Sequence, residues 1–255
     1  MRKHISVFGF FVKSSLFWVL LIMMVLGAAE VLLFERELTA TLEVYEAVGE
    51  YFTAPEKVVA GSGIGVCLAV AFVAVTVLLC LPGCAFRSQT GYTLRRLSVS
   101  ERAIYVHQGV YNTLIYLLLW AFQAVMAFVL CYIYITRAPS EAVGSQTVFL
   151  AFYRNDLLHS LVPLSDVALW VRNALLALTL GFAAAEVPFL HRRKKHGAMI
   201  IGMVLFTIGI FKRAIGEIPQ MVGVVVVFLA VAGATIYTLF GRTEEEESEN
   251  ENQDS

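Results

Sequence analysis

Histidine is scarce in this sequence, and none lies where a membrane-embedded catalyst would need it. The five are His4, His107, His159, His191 and His196. Each falls outside the middle of the long apolar runs, which excludes the buried histidine-ligated metal centres of intramembrane metalloproteases. Ser62, in Gly61-Ser62-Gly63, also has no histidine at a matching depth to activate it as a nucleophile.

Two further chemical signatures are absent. No Gly-x-x-x-x-Gly-Lys-Ser/Thr loop is present, so the chain does not bind nucleotide phosphates by that route. The pair Cys80-x-x-x-Cys84 has neither a histidine nor a second cysteine pair beside it. The four cysteines are predicted to be small packing residues: Cys67, Cys80, Cys84 and Cys131. We therefore expect no metal, no cofactor and no enzyme activity in this chain.

Basic residues are missing from the C-terminal tail. From Thr243 onward the chain carries seven acidic side chains and no basic ones, whereas the rest has 19 basic against 13 acidic residues. The tail also lacks aromatic residues, so it has nothing to bury that would offset the entropy lost on ordering. Residues 241–255 are predicted to be a disordered acidic tail.

The rest of the chain is strongly apolar. Hydrophobic residues make up 58% of the sequence and the mean hydropathy is +0.74, against roughly 45–50% apolar residues in soluble domains. Its own polar residues cannot cover so much apolar surface, and lipid is the natural solvent for it. The composition predicts an all-α integral membrane protein with no nucleic-acid partner.

Six apolar runs approach the roughly 20 residues that span a bilayer. They cover residues 16–34, 58–81, 110–135, 166–190, 198–215 and 221–240. The run from Ala198 to Phe211 has only 14 residues before Lys212, so the fifth span is the shortest. We predict an interfacial basic-aromatic segment over 1–15 and a six-helix domain over 16–240. Within that domain, a polar loop is predicted over 35–57 and a loop of mixed composition over 137–162.

Small residues open the second run. Gly61, Gly65 and Ala69 are spaced by four, which places them on one face of a helix and lets another helix approach closely. A flexible helix end is the alternative. The sequence Leu81-Pro82-Gly83 is predicted to end this helix.

Basic residues near the runs predict the orientation. With the N-terminus inside and six spans, twelve basic residues fall on the cytoplasmic side and six on the outer side. Both termini are therefore predicted to be cytoplasmic.

The longest basic polar segment between two apolar runs is Gly91 to Arg102. Ser98 and Glu101 have the spacing of a capping box, so a helix is predicted to begin near Val99 and continue into the third run. Leu94 and Leu97 share one face of the short helix predicted to precede it. The alternative is an ordinary loop that only fixes topology.

Away from the first and last few residues of the apolar runs, the charged residues are Glu30, Arg172 and Glu186. Such charges are costly in lipid and are functional candidates. Glu30 and Arg172 lie at similar depths, which favours an ion pair between the first and fourth spans, and separate snorkelling is the alternative. Glu186 is placed to snorkel or to pair with the basic residues at 192–195. A proton relay through Glu30 or Glu186 is a further possibility.

Six spans, a basic-aromatic N-terminal segment, and the string from Tyr92 to Arg102 together resemble type-2 ABC exporter permeases of bacteria. The string is similar to the Arg-Leu-Pro-Val/Ile-Ser stretch of that family, with Ser98 in place of its proline. The resemblance implies a coupling-like cytoplasmic loop over 86–109 that docks on a separate ATPase. The candidate coupling residues are Tyr92, Leu94, Arg95, Arg96, Leu97, Ser98 and Glu101.

The same resemblance implies a multi-pass protein of the bacterial cell membrane. Two permease chains, identical or different, would pair and export a substrate with energy from the ATPase chains. The alternatives are an ion-coupled secondary transporter that uses Glu30, Arg172 and Glu186, and a non-transporting membrane scaffold or immunity protein.

Overall fold

The structure, a computed structural model, describes residues 2–49, 51–82, 84, 100–164, 166–192, 199–212 and 217–240. Within these ranges every regular element is a helix, and the all-helical prediction is confirmed. The helices are α1 (Arg2–Val48), α2 (Pro55–Gly61), α3 (Ile64–Cys80), α4 (Glu101–Arg137), α5 (Thr147–Arg154), α6 (Asp156–Leu161), α7 (Val167–Arg192), α8 (Met199–Lys212) and α9 (Glu217–Phe240).

Three of these helices, α1, α4 and α7, are long and apolar enough to cross a membrane. The bent pair α2–α3 makes a fourth if it counts as one span. The apolar stretches in α8 and α9 are shorter, at Met199–Phe211 and Met221–Tyr237. By length and composition, three or four of the described segments could therefore cross a membrane.

Helix α1 is much longer than the predicted span of 16–34. It includes residues 2–15, predicted to be a separate segment, and it replaces most of the loop predicted over 35–57. The reason is a continuous buried face with a spacing of three or four residues: Val7, Phe11, Ser15, Val19, Met23, Leu26, Glu30, Phe34 and Leu38. The helix ends only at Gly49, whose φ of +70° favours glycine and whose N–H donates to the Tyr45 carbonyl.

The second predicted span is broken. Helices α2 and α3 meet at an angle of 53°, and Gly63 adopts a φ of +78° between them. Gly61 and Gly65 therefore do not share one straight helical face, as their spacing predicted. A Cβ on Gly61 would lie 2.6 Å from Oε1 of Glu37 on α1, whereas Gly65 lies near Leu157. The predicted stop is confirmed, since α3 ends at Cys80.

Helix α4 begins at Glu101, so residues 101–109 of the predicted coupling-like loop are helical. Its N-cap is Ser100 rather than Ser98, and the Ser100 hydroxyl accepts a hydrogen bond from the Ala103 N–H at 3.3 Å. The predicted cap is corrected by two residues. Residues 85–99, which include Tyr92, Leu94, Arg95, Arg96, Leu97 and Ser98, lie outside the described residues, as does the tail at 241–255.

The loop predicted over 137–162 contains two short helices, α5 and α6. Asn155 separates them and caps α6, because its side-chain oxygen accepts from the N–H groups of Leu157 and Leu158, both at 3.1 Å. Its amide nitrogen donates to the Glu56 carbonyl at 3.0 Å, and Arg154 pairs with Glu56 at 3.4 Å. These contacts hold α5 and α6 against α2, at the C-terminal end of α4.

Candidate functional site

Helix α4 is the central element of the described bundle. Several of its buried residues carry polar groups, and five of them form what we call the polar stripe: Tyr105, Gln108, Asn112, Tyr116 and Gln123. Their spacings of three, four, four and seven place them on one helical face. Buried polar groups in lipid need partners, and each of these finds one on a different element.

Tyr105 and Gln108, at the N-terminal end of the stripe, contact residues at the ends of three other helices. Gln108 Nε2 donates to the Pro82 carbonyl, just beyond α3, at 3.1 Å. The Tyr105 hydroxyl shares a hydrogen bond with Thr235 of α9 at 3.0 Å, and its ring lies 5.4 Å from that of Phe189 on α7. The ends of α3, α7 and α9 therefore meet where α4 begins.

The middle of α4 binds α1 and α3 through hydroxyl groups. Tyr116 donates to Thr76 of α3 at 2.9 Å. Tyr111, which lies beside the stripe, shares a hydrogen bond with Ser15 of α1 at 2.8 Å. All four of these residues are buried, so the bonds fix how α1 and α3 are rotated against α4.

Helices α4 and α7 approach each other so closely that a side chain at either of two glycines would clash with the other helix. A Cβ built on Gly181 would lie 2.6 Å from the backbone nitrogen of Thr113 and 2.8 Å from its Cα. A Cβ on Gly109 would lie 2.8 Å from the ring of Phe182. Asn112 Nδ2 uses this proximity and donates to the Gly181 carbonyl at 3.3 Å. Glycine at both positions therefore permits the contact.

Glu30 of α1 faces Gln123, the most C-terminal residue of the stripe. It is fully buried, and Gln123 Nε2 donates to its Oε1 at 2.5 Å. The other carboxyl oxygen, Oε2, has no hydrogen-bond partner among the described residues. Glu30 is buried because it occupies the continuous apolar face of α1, where its neighbours Leu26 and Phe34 are also buried.

Arg172 of α7 is buried and binds groups other than Glu30. It is 1% exposed, so it does not snorkel to the surface. Its Nε and Nη2 donate to Asn173 Oδ1 at 3.2 and 3.0 Å, and Nη2 also reaches the Ser160 carbonyl at 3.4 Å. The Phe211 ring lies 5.7 Å from its guanidinium carbon. The ion pair predicted between Glu30 and Arg172 is therefore not formed by these two described residues.

Glu186, the third predicted charge, is partly buried near the N-terminal end of α4, where it interacts electrostatically with Tyr105. Of the basic residues at 192–195, predicted as its partners, residues 193–195 lie outside the described residues, and only the backbone of Arg192 is described. Glu101 begins α4 at the same end.

The C-terminal end of α4 binds the short helices and the segment before α2. Trp120 Nε1 donates to the Leu161 carbonyl and the Tyr134 hydroxyl to the Thr53 carbonyl, both at 2.8 Å. A cavity of about 910 Å³ opens beside Tyr134 and is lined also by Tyr45, Phe52 and Glu56. Its size is in the range of small-molecule sites, and it lies at the end of the bundle opposite the N-terminal end of α4.

Metal-binding residues do not cluster in the part of the chain that the structure describes, where no three histidine, cysteine or acidic side chains could hold an ion. The four cysteines form no disulfide, and Cys84 and Cys131 are buried, in keeping with the packing role predicted for them. Comparisons with known protein families, with curated proteins and with solved structures found no match in any of the three.

Proposed function

We propose that the chain is the membrane-spanning permease subunit of an ATP-driven export system, powered by a separate ATP-binding-cassette ATPase. The position of α4 carries this proposal. The helix follows the basic segment directly, starting at Glu101, and it bonds to α1, α3, α7 and α9 and to the end of α6. A displacement of its N-terminal end would therefore be transmitted to the whole bundle.

The proposed topology has six crossings, with α8 and α9 as the last two and both termini in the cytoplasm. Two contacts support alternating directions. Thr235 of α9 meets the N-terminal end of α4, whereas Phe211 of α8 lies beside Arg172, near the start of α7. The excess of basic residues, twelve against six, assigns the N-terminal end of α4 to the cytoplasm.

The proposed assembly pairs two permease chains, identical or different, in a bacterial cell membrane. Each chain docks one ATPase on its basic segment, where Arg95 and Arg96 supply charge contacts and Leu94 and Leu97 apolar ones. Closure of the ATPases on ATP would move this segment, and α4 would move with it.

Replacing Arg95 and Arg96 with alanine is expected to abolish co-purification of the ATPase with the tagged permease. Arginine is enriched among interface hot spots, where truncation costs on the order of 2 kcal/mol or more per residue. The measurement is the yield of ATPase recovered with each variant from detergent-solubilised native membranes, identified by mass spectrometry.

The matched control is Arg36→Ala with Lys57→Ala. Both side chains are exposed on α1 and α2, and the pair removes the same charge from the opposite end of the bundle. The control should retain the wild-type yield of ATPase. If an ATPase is never recovered, or if the Arg95/Arg96 variant recovers it at wild-type yield, the assignment of the basic segment as a docking site is wrong.

A further inference from the structure

Glu30 has features that a structural role does not explain. It is an acidic side chain with no exposed surface, enclosed in a helical bundle among apolar neighbours. Its hydrogen-bond partner among the described residues is the neutral amide of Gln123. An isolated ionised carboxylate in such surroundings is strongly unfavourable. A buried carboxyl group is therefore normally paired with a cation or protonated.

No described group neutralises Glu30 from the helices packed against α1, which are α2, α3 and α4. From α3, Cys67 is within electrostatic range of Glu30. From α2, Glu56 pairs with Arg154 and Lys57 is exposed to solvent. From α4, Arg137 pairs with Glu35 of α1 itself.

The local chemistry is wrong for a metal ion. Calcium and magnesium ions require six or more ligands, mainly oxygen atoms, whereas Gln123 presents its N–H group to the carboxyl. No cluster of three acidic, cysteine or histidine side chains is found among the described residues. One carboxyl oxygen is held by a donor and the other, Oε2, is unpartnered. This is an arrangement for a carboxylic acid: a carbonyl oxygen that accepts, and a hydroxyl oxygen that carries hydrogen.

We propose that Glu30 is a proton-binding site inside the bundle, with an exchangeable proton on Oε2 and with Gln123 positioning Oε1. The proton arrives from water and is released to water, and the carboxylate forms when it leaves. Because Glu30 lies where α1 faces α3 and α4, the packing of α1 in this region depends on whether the proton is bound.

Infrared spectroscopy of the purified protein tests this without requiring a reagent to reach the site. The carbonyl stretch of a protonated carboxyl is separate from that of a carboxylate. At neutral pH the wild-type protein should show this band, and transfer to D₂O should shift it because the proton exchanges. The band should be lost in Glu30→Gln and should weaken as the pH is raised.

Gln123→Leu provides a second, matched variant. It removes the donor to Oε1, so the band should persist at a higher frequency. Three results would overturn the proposal: wild-type and Glu30→Gln spectra that coincide in this region, a band that D₂O never shifts, or a band that sodium ions abolish at constant pH. The first means that Glu30 is ionised, the second that its proton is locked in place, and the third that it binds a metal cation.

Discussion

Replacing Gly181 with alanine is expected to disrupt the folded bundle more than the same change at any other glycine that the structure describes. The new Cβ would lie 2.6 Å from the Thr113 nitrogen and 2.8 Å from its Cα, and it would also collide with the Thr113 hydroxyl. Both helices are long, so neither backbone can yield locally. Overpacking typically costs about 1–3 kcal/mol of stability. Because the new Cβ would clash with backbone atoms, we expect a loss at or above the upper end of that range.

The measurement is the thermal midpoint at which the detergent-solubilised protein loses its monodisperse chromatographic peak. The matched control is Gly209→Ala on α8, where a Cβ meets nothing within 4 Å. That variant should be as stable as wild type or slightly more so, because alanine favours the helix by up to about 1 kcal/mol over glycine. A Gly181→Ala protein with the stability of the control would show that α4 and α7 do not touch as described.

Asn173→Leu should have the second largest effect. Asn173 Oδ1 accepts two hydrogen bonds from the buried Arg172 guanidinium, and its Nδ2 donates to the Ser160 carbonyl at 2.8 Å. Leucine removes all three bonds and leaves a cation with fewer acceptors in a buried site. Hydrogen bonds to charged groups contribute about 1.5–3 kcal/mol each, so we expect a loss of about 3 kcal/mol in the same thermal assay.

The double variant Arg172→Met with Asn173→Leu separates two explanations of that loss. If the cost comes from a poorly solvated cation, removing the cation should restore part of the stability, since apolar replacement of both partners is often close to neutral. The double variant should therefore be more stable than Asn173→Leu alone. A double variant less stable than the single one would show that Arg172 stabilises the bundle without Asn173.

The apolar runs predicted the helices α4, α7, α8 and α9, because a long apolar stretch is stable as a helix that is buried along one or more faces. The run at 58–81 is instead divided into α2 and α3 at Gly63. The runs failed for α1, where exposed glutamates such as Glu43 and Glu46 obscure a buried face that continues through Phe34 and Leu38. The signal was present in the sequence, since no glycine or proline interrupts the chain between Gly27 and Gly49. The spacing of the buried residues, and not the number of charged ones, determines how far α1 extends.

The pairing of Glu30 with Arg172 failed for a different reason. Depth along a helix can be read from residue numbers, but the direction that a side chain faces depends on how each helix is rotated in the bundle. Glu30 faces Gln123, whereas Arg172 faces Ser160 and Phe211. The spacing of Gln108, Asn112 and Tyr116 in a mostly apolar run could have revealed the polar stripe. Gly181 gave no such signal, because a close approach needs both helices to define it.

Labelling of single cysteines from outside intact cells tests the proposed topology, on which the permease assignment rests. Glu46→Cys and Ser145→Cys place thiols at exposed positions near the C-terminal end of α4, and Lys194→Cys places one in the basic stretch after α7. The four native cysteines are first replaced. An impermeant maleimide should label positions 46 and 145 in intact cells, and position 194 only after lysis. Labelling of 194 but not 46 in intact cells would contradict the account, because the basic segment and the start of α4 would then face away from any cytoplasmic ATPase.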